Sequence, residues 1–395
     1  MEHILFICNE YPPSNHGGIG SFTKDLSEAL VENNFKVSVI GFYNKNVLDL
    51  KKRETIERIN NVTIYRNRYI NYFKNNKINN ILNRIQLYNK IKKIHQKDKL
   101  SLIEAPEFGG WILKKLKNVP LITRLHSSST FINVELNKKY SKFLYFLEKR
   151  QLNNSDYIIS VSNYVAQRTL DIFNINKPYT IIYNAVKDNV FRVVEKENTQ
   201  SKLVNGDYIL FVGTINPLKG VEQLIKSMIN VWQKYPDIKL VLAGKDNKII
   251  NGQLYKKYLL SLIPGTKKKN VIFTGHINRE KQLYPLIKNA KLCCMPSYVE
   301  AFSIAPLEAM AFGKAVIYSK YHSGPEIIND GYNGLLCDPM NINDISSKIE
   351  LLLSNDNLRK TIEFNARKTI NDKFSYNKWI KENIDFYTKV IKNEI

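Results

Sequence analysis

Two doubly wound parallel-sheet (Rossmann-like) α/β domains in series are the architecture this sequence predicts. Three observations carry it. Apolar runs of strand length alternate with helix-length segments along most of the chain. A polar, weakly periodic stretch over 186–207 interrupts the alternation, and after it the same order of strand and helix starts again. Strands that alternate with helices form parallel sheets covered on both faces, and ligands bind beyond the carboxyl ends of those strands. At 395 residues the chain is long enough for two such domains.

The first half opens on the buried-strand pattern "HILFIC" (3–8), a Pro/Gly-rich loop "NEYPPSNHGGIG" (9–20) and a helical pattern over 22–32. Further strands are predicted at "KVSVIGF", "VTIYR", "LSLIEA", "PLITRLH", "DYIISVS" and "YTIIYN". The break over 186–207 has the composition of a domain boundary, which gives domains over 1–186 and 207–374. The second half runs "YILFVG", a helix over 221–235, "IKLVLAG", a helix near 253–262 and "NVIFTG". A helix over 279–288, "AKLCCMP", a helix near 305–312, "AVIYS" and "GLLCD" follow, and three helical patterns close the chain.

Composition is globular, with 44% hydrophobic and 24% charged residues. No apolar run approaches the roughly 18 residues that span a bilayer. The amino-terminal stretch lacks a basic leader and a small-residue cleavage site, so a cytoplasmic protein is expected, soluble or attached to the inner face of the membrane. Four cysteines without a C-x-x-C pair indicate neither a disulfide framework nor a zinc site. The net charge of +23 is uneven: residues 45–99 hold fifteen Lys or Arg against four Asp or Glu. Such an excess is either a solvated basic surface or a field for an anionic partner: membrane headgroups, a diphosphate or nucleic acid.

Four places could carry chemistry. "HGGIG" (16–20) joins the first strand to the first helix, where glycines let backbone approach a phosphate; a flexible turn has the same look. "FVGTINPLKG" (211–220) repeats that placement in the second half, with Lys219 where a helix should begin, against the dipole unless an anion sits there. In "YVEAFSIAPLEAMAFG" (298–313), Glu300 lies in a loop and Glu308 in a short apolar helix ended by Gly313. The dipole favours an acid early in a helix by about 0.3–1 kcal/mol. With no Lys or Arg over 299–313, Glu308 still needs donors. Sugar hydroxyls would serve, each bond to a charged acceptor contributing about 1.5–3 kcal/mol. A lone histidine is more often structural than catalytic, but His126 stands just past a strand's carboxyl end, which improves the functional side. No Asp-x-Asp metal clamp, P-loop or Gly-x-Ser-x-Gly elbow is present, so no metal and no cofactor are expected.

Together these residues resemble a family-4 retaining glycosyltransferase (glycosyltransferases group 1) of GT-B architecture, two Rossmann-like domains facing a cleft. The most specific element is "EAFSIAPLEAMAFGKAVI", an E-x7-E motif. "GGIG", "RLHSS", "DYIISVSNYVAQ", "IIYNAV", "FVGTINPLKG", "VIFTGHI" and "GPEIINDGYNGLLCDP" support it in order and spacing.

The resemblance implies an acceptor-binding first domain, a donor-binding second domain and a last helix (about 375–395) packed back on the first. It implies that Glu308 accepts from ribose hydroxyls and that Glu300 faces the donor sugar. Ala301, Phe302, Ser303 and Ile304 line the sugar and phosphates. Lys219 pairs with the diphosphate beside Gly213 and Thr214, and Gly275, His276 and Ile277 meet the base. Gly17, Gly18 and Gly20 approach the donor phosphates, and His126 contacts the donor sugar. Thr214 stands where many members carry an arginine, which removes one diphosphate cation.

The implied reaction is a hexosyl transfer from a UDP- or GDP-sugar to the hydroxyl of a glycan or lipid-linked glycan, in the synthesis of a bacterial surface polysaccharide (capsule, O-antigen or exopolysaccharide). A same-fold epimerase or phosphorylase is the alternative. A basic nucleic-acid-binding protein is suggested by charge alone, without any recognised motif, so no nucleic acid is expected as partner.

Overall fold

A computed structural model describes residues 1–14, 17–44, 52–187, 190, 204–246 and 254–395. His16 and most of the stretch read as a linker over 186–207 lie outside the described residues, as does Gln253 at the predicted start of the helix near 253–262. The chain divides into two compact units, Met1–Ile182 with Ile380–Ile395, and Tyr183–Trp379.

Among the described residues the first unit has eight strands: β1 (His3–Ile7), β2 (Lys36–Tyr43), β3 (Glu54–Ile59), β4 (Val62–Arg68), β5 (Leu102–Pro106), β6 (Leu121–Leu125), β7 (Tyr157–Ser160) and β8 (Thr180–Ile181). Its helices are α1 (Gly18–Glu32), α2 (Asn76–Lys97), α3 (Ser129–Glu135), α4 (Lys142–Asn154) and α5 (Asn163–Phe173). The sheet order is β3-β4-β2-β1-β5-β6-β7-β8. The strands β1, β2, β5 and β6 are buried almost throughout, as a sheet covered on both faces requires.

One strand departs from the all-parallel expectation. β3 pairs antiparallel with β4 through a hairpin at Asn60 and Asn61, both with positive φ (48° and 64°). Two consecutive left-handed residues are what a tight hairpin turn needs, and asparagine tolerates them. The alternating half-exposed pattern of β3 marks an edge strand, not a core strand.

The second unit holds β9 (Tyr208–Val212), β10 (Lys239–Ala243), β11 (Val271–Gly275), β12 (Leu292–Met295), β13 (Val316–Ser319) and β14 (Leu335–Cys337). All are parallel, in the order β11-β10-β9-β12-β13-β14. Its helices are α6 (Val221–Lys234), α7 (Tyr255–Ser261), α8 (Tyr284–Asn289), α9 (Ile304–Ala311), α10 (Gly324–Ile327), α11 (Ile342–Ser354) and α12 (Asp356–Lys373). In α6 the residues Val221, Leu224, Ile225, Met228, Val231 and Trp232 are buried at helical spacing, which seats it on the sheet. β9 lies between β10 and β12, so the direction of strand addition reverses there, the position where such sheets open a crevice.

The last helix, α13 (Tyr376–Lys392), contributes its residues from Ile380 to the first unit. Arg124 at the end of β6 is fully buried and explains the docking. Its Nε donates to Glu104 Oε1 (2.7 Å) and its Nη2 to Glu104 Oε2 (3.1 Å). The same Nη2 reaches Asn383 Oδ1 (2.7 Å) and the Tyr387 hydroxyl (3.0 Å), one helical turn apart on α13. Tyr387 donates in turn to Glu104 Oε2 (2.6 Å). Among the described residues, no helix is long and apolar enough to cross a membrane.

Removing one partner of a buried ion pair strands the other charge, at a cost of about 3–5 kcal/mol. Arg124→Met should therefore lower the free energy of the first unit's unfolding by that amount, seen by circular dichroism as a lower urea midpoint at unchanged slope. An unchanged midpoint would show that α13 is held by its apolar contacts alone.

Candidate functional site

In the second unit, two loops leave neighbouring strands at the reversal point. The loop after β9 carries Gly213 and Thr214, then a single turn at Pro217–Lys219 whose start is capped by the Asn216 side chain, accepting from Leu218 N (2.9 Å). Gly220 follows with φ +66°; a Cβ there would lie 1.9 Å from the carbonyl oxygen of Pro296. Only glycine permits both the dihedral and the approach. The loop after β12 therefore lies directly against this turn, fastened by Tyr298 N to Leu218 O (2.8 Å). As a result the ammonium of Lys219 meets the carboxylate of Glu300.

The same loop continues through Ala301 to Phe302, which is buried and stacked on Tyr183 (5.1 Å between ring centres), with Phe374 at 5.7 Å. The Phe302 carbonyl accepts from Asn184 Nδ2 (3.1 Å). Ser303 precedes α9 without capping it by its side chain, and Ile304 opens the helix. Glu308, one turn further, is 3% exposed among Leu307, Ala309, Met310 and Ala311. Its Oε1 accepts from Arg279 Nε (3.0 Å), Arg279 Nη2 (2.6 Å) and the Tyr284 hydroxyl (3.2 Å). Its Oε2 is buried with no hydrogen-bond partner among the described residues. The charge of Glu308 pushes the Arg279 guanidinium above its usual range, and burial, then Glu308, does the same to the Tyr284 phenol. The sequence places no cation over 299–313 around Glu308; the fold brings one from the segment before α8.

Gly275 (φ +68°), His276 and Ile277 form the turn after β11, with His276 exposed, and that turn leads into Arg279. The second-unit candidates thus gather at the carboxyl ends of β9, β11 and β12.

The first unit holds the others. Gly17 and Gly18 are exposed and Gly20 is buried at the start of α1. The carboxylate of Glu10 sits on that helix end, accepting from Gly17 N (3.2 Å) and Gly20 N (2.7 Å). An acid there satisfies orphan amides and the dipole together. His126 packs its ring edge-on against Phe22 of α1 (4.8 Å), which joins this helix end to the loop after β6. Its backbone N–H is held by both oxygens of Glu107 (2.8 Å each). Glu148 accepts from Gly109 N and Ser129 N (3.1 Å each) and from Thr130 N (3.2 Å). Both acids are fully buried. Glu107, Glu148, Arg279 and Tyr284 stand in no motif, and each acts across 18 or more residues of sequence; Glu10 acts within its own loop.

Comparison with known proteins decides the family. Residues 194–369 match the glycosyl transferases group 1, and residues 16–190 match glycosyltransferase family 4. An uncharacterized glycosyltransferase of Methanocaldococcus jannaschii (MJ1607) is 30% identical, over 97% of each chain. The chain belongs to the family 4, group 1 glycosyltransferases. It is an enzyme of the hexosyltransferase class, and its two units have the GT-B fold. The capsular polysaccharide biosynthesis glycosyltransferase CapM of Staphylococcus aureus is 25% identical over 274 residues, 64% of this chain and 69% of CapM. Sucrose-phosphate synthase of Thermosynechococcus elongatus superposes over 100% of both chains with a TM-score of 0.79 at 21% identity.

Burial, and then the charge of Arg124, pushes the imidazole of His126 down to about 3, so in this glycosyltransferase it is neutral at physiological pH. In the unfolded chain a histidine titrates near 6.5. The unfolded state then binds more protons between those values: the stabilisation is complete above about pH 6.5 and is lost as pH falls toward 3. Melting temperature should therefore fall less steeply between pH 7 and 4.5 in His126→Gln than in the parent. Glu107 runs the other way. Burial raises it to about 8, so its contribution is present below about pH 4.5 and is lost as pH rises through 8. Glu107→Gln should flatten the alkaline side of the same melting curve. Parallel curves for parent and variants would show that neither group titrates as described.

Proposed function

We propose that this glycosyltransferase moves a sugar, with retention of configuration, from a UDP- or GDP-sugar to a hydroxyl of a glycan or lipid-linked glycan in surface-polysaccharide synthesis. The observation that carries the reading is the convergence of Lys219, Glu300 and Glu308 at the carboxyl ends of β9 and β12, with one oxygen of Glu308 buried and unpartnered. A buried acceptor without a donor is costly, and a ribose hydroxyl supplies that donor. The name of the CapM relative supports the polysaccharide context.

In this reading Lys219 leaves Glu300 for the leaving diphosphate, and the amides at the uncapped start of α9 add to its neutralisation. No metal or cofactor is called for: lysine and backbone N–H groups do that work. Glu300 then accepts from the sugar's hydroxyls, and Gly213 and Thr214 give the phosphates room. The bond from the anomeric carbon to the phosphate oxygen breaks while the acceptor oxygen bonds on the same face. The acceptor proton passes to the departing phosphate oxygen. Neutral His126 is assigned a hydrogen bond to the transferred sugar, which the imidazole makes without adding charge. Gly18, where a Cβ would meet none of the described residues within 4 Å, is assigned with Gly17 to a phosphate approach.

A panel of nucleotide sugars, read by thermal shift and then by turnover on lipid-linked acceptors, tests the proposal. Lys219→Ala and Glu300→Gln should each lower turnover by about two orders of magnitude or more, as removal of a charge-stabilising group does. Near-parental turnover in both would remove these roles. Transfer that depends on inorganic phosphate would mark a phosphorylase instead, and donor isomerisation an epimerase.

A membrane-facing role for the first unit has its own support. Tyr72, Phe73, Ile78, Ile85, Tyr140 and Phe146 are exposed apolar side chains on 69–85 and around α4. Asn79 holds Tyr72 and Phe73 in place by accepting from both amides (3.2 and 3.1 Å). Lys77 lies 6.0 Å over the ring of Phe143, which joins the two segments into one basic, aromatic surface. Each lysine or arginine at an anionic leaflet contributes about 1 kcal/mol. The protein should co-sediment with phosphatidylserine vesicles at physiological salt and not with phosphatidylcholine vesicles. Failure to bind either removes the membrane role and leaves the transfer reaction untouched.

A further inference from the structure

The pairing of Arg279 with Glu308 is unlike an ordinary arginine–carboxylate fork. That fork places two parallel N–H bonds on two different oxygens. Here Nε (3.0 Å) and Nη2 (2.6 Å) both go to Oε1, and the Tyr284 hydroxyl (3.2 Å) fills the same oxygen. Oε2 is left buried, with nothing among the described residues donating to it. A carboxylate in an apolar helix would normally turn to share its donors between both oxygens, because a buried acceptor left bare is costly. Three donors on one side prevent the turn.

The two donor residues differ in setting. Tyr284 is buried and its ring leans on Phe312 (5.4 Å). The Arg279 side chain is 53% exposed, while Glu308 on the other side of the pair is 4% exposed. Arg279 is therefore not core filling. What it contributes is charge and direction to a buried acid, delivered from the segment that follows the Gly275–Ile277 turn.

We propose that Arg279 is a positioning residue for nucleoside recognition. With Tyr284 it clamps Oε1 of Glu308, so that Oε2 is presented as a fixed, desolvated acceptor for the 2′- and 3′-hydroxyls of the donor's ribose. The inference rests on the donor reading above and adds what makes Glu308 selective. An acceptor that cannot rotate and has no other donor discriminates strongly against a sugar lacking the hydroxyl. Arg279 itself needs no contact with the nucleotide.

The test is a cycle between protein and ligand, by calorimetry on the full chain. UDP and GDP are compared with their 2′,3′-dideoxy forms, in the parent and in Arg279→Met, Arg279→Lys and Tyr284→Phe. A hydrogen bond to a charged acceptor corresponds to about ten- to a hundredfold in affinity. The parent should prefer the ribonucleotide by that factor. Arg279→Met should lose most of the preference by weakening the ribonucleotide alone, with dideoxy affinity held within about twofold, the spread left when an uninvolved site is changed. Arg279→Lys should fall between, keeping the charge without the fork. In turnover, Arg279→Met should raise KM for the nucleotide sugar and leave kcat near the parent's.

If Arg279→Met weakens both ligands equally, Arg279 acts only through structure and the proposal falls while the donor reading stands. If the parent itself fails to discriminate, Glu308 does not meet the ribose and both fall. Should Arg279→Met not fold, Arg279→Lys and Tyr284→Phe carry the same comparison, and full discrimination in both would overturn the clamp.

Discussion

The second unit depends on a backbone contact that only glycine allows. Gly220 lies so close to Pro296 that any side chain at 220 would collide with its carbonyl oxygen. That approach brings the loops after β9 and β12 into register, and the Tyr298 to Leu218 bond holds them. Lys219 and Glu300 meet because of it, and α9 with Glu308 follows directly from the second loop. The loop is fastened from its other side by Phe302, stacked on Tyr183 and against Phe374. A segment bonded at both ends presents its middle with little freedom, which is what an electrostatic site needs.

Acids do much of the holding in a chain of net charge +23. Glu10 closes the start of α1, Glu107 holds the amide of His126, and Glu148 holds three amides from Gly109 to Thr130. Among the described residues none of these three is in an ion pair; each accepts backbone N–H groups at the carboxyl end of a parallel strand. Loops there have amides that no ladder satisfies, and one carboxylate can accept several of them. Glu104 and Glu308, by contrast, face arginine. Two of the glutamates therefore anchor charge while the rest shape backbone.

The phosphate-binding reading of the first glycine-rich loop looks different once Glu10 is in place. Two of the amides that would meet a phosphate already have an anion. Gly18 keeps open space around its α-carbon, so its smallness answers to nothing among the described residues. In the second unit the corresponding turn is closed by Lys219 and Glu300 pairing with each other. Both loops are thus neutralised from within, and any anionic ligand must compete with a resident carboxylate or recruit its partner lysine.

The sequence by itself determined the two α/β units, the parallel strands and the helix that carries Glu308, because each is written in local periodicity: apolar runs, amphipathic spacing, glycine stops. It also determined the seven-residue interval between Glu300 and Glu308, since a loop and the helix it leads into are adjacent in the chain. The antiparallel β3 was not legible, because an exposed edge strand has no continuous apolar run and its hairpin turns on two asparagines. Only the tertiary structure decided what each acid faces. Arg279 lies 29 positions from Glu308, Glu107 lies 19 from His126, and Arg124 lies 263 from Tyr387. Such pairs are set by sheet order and by which loops share a strand end, and no spacing along the chain encodes them.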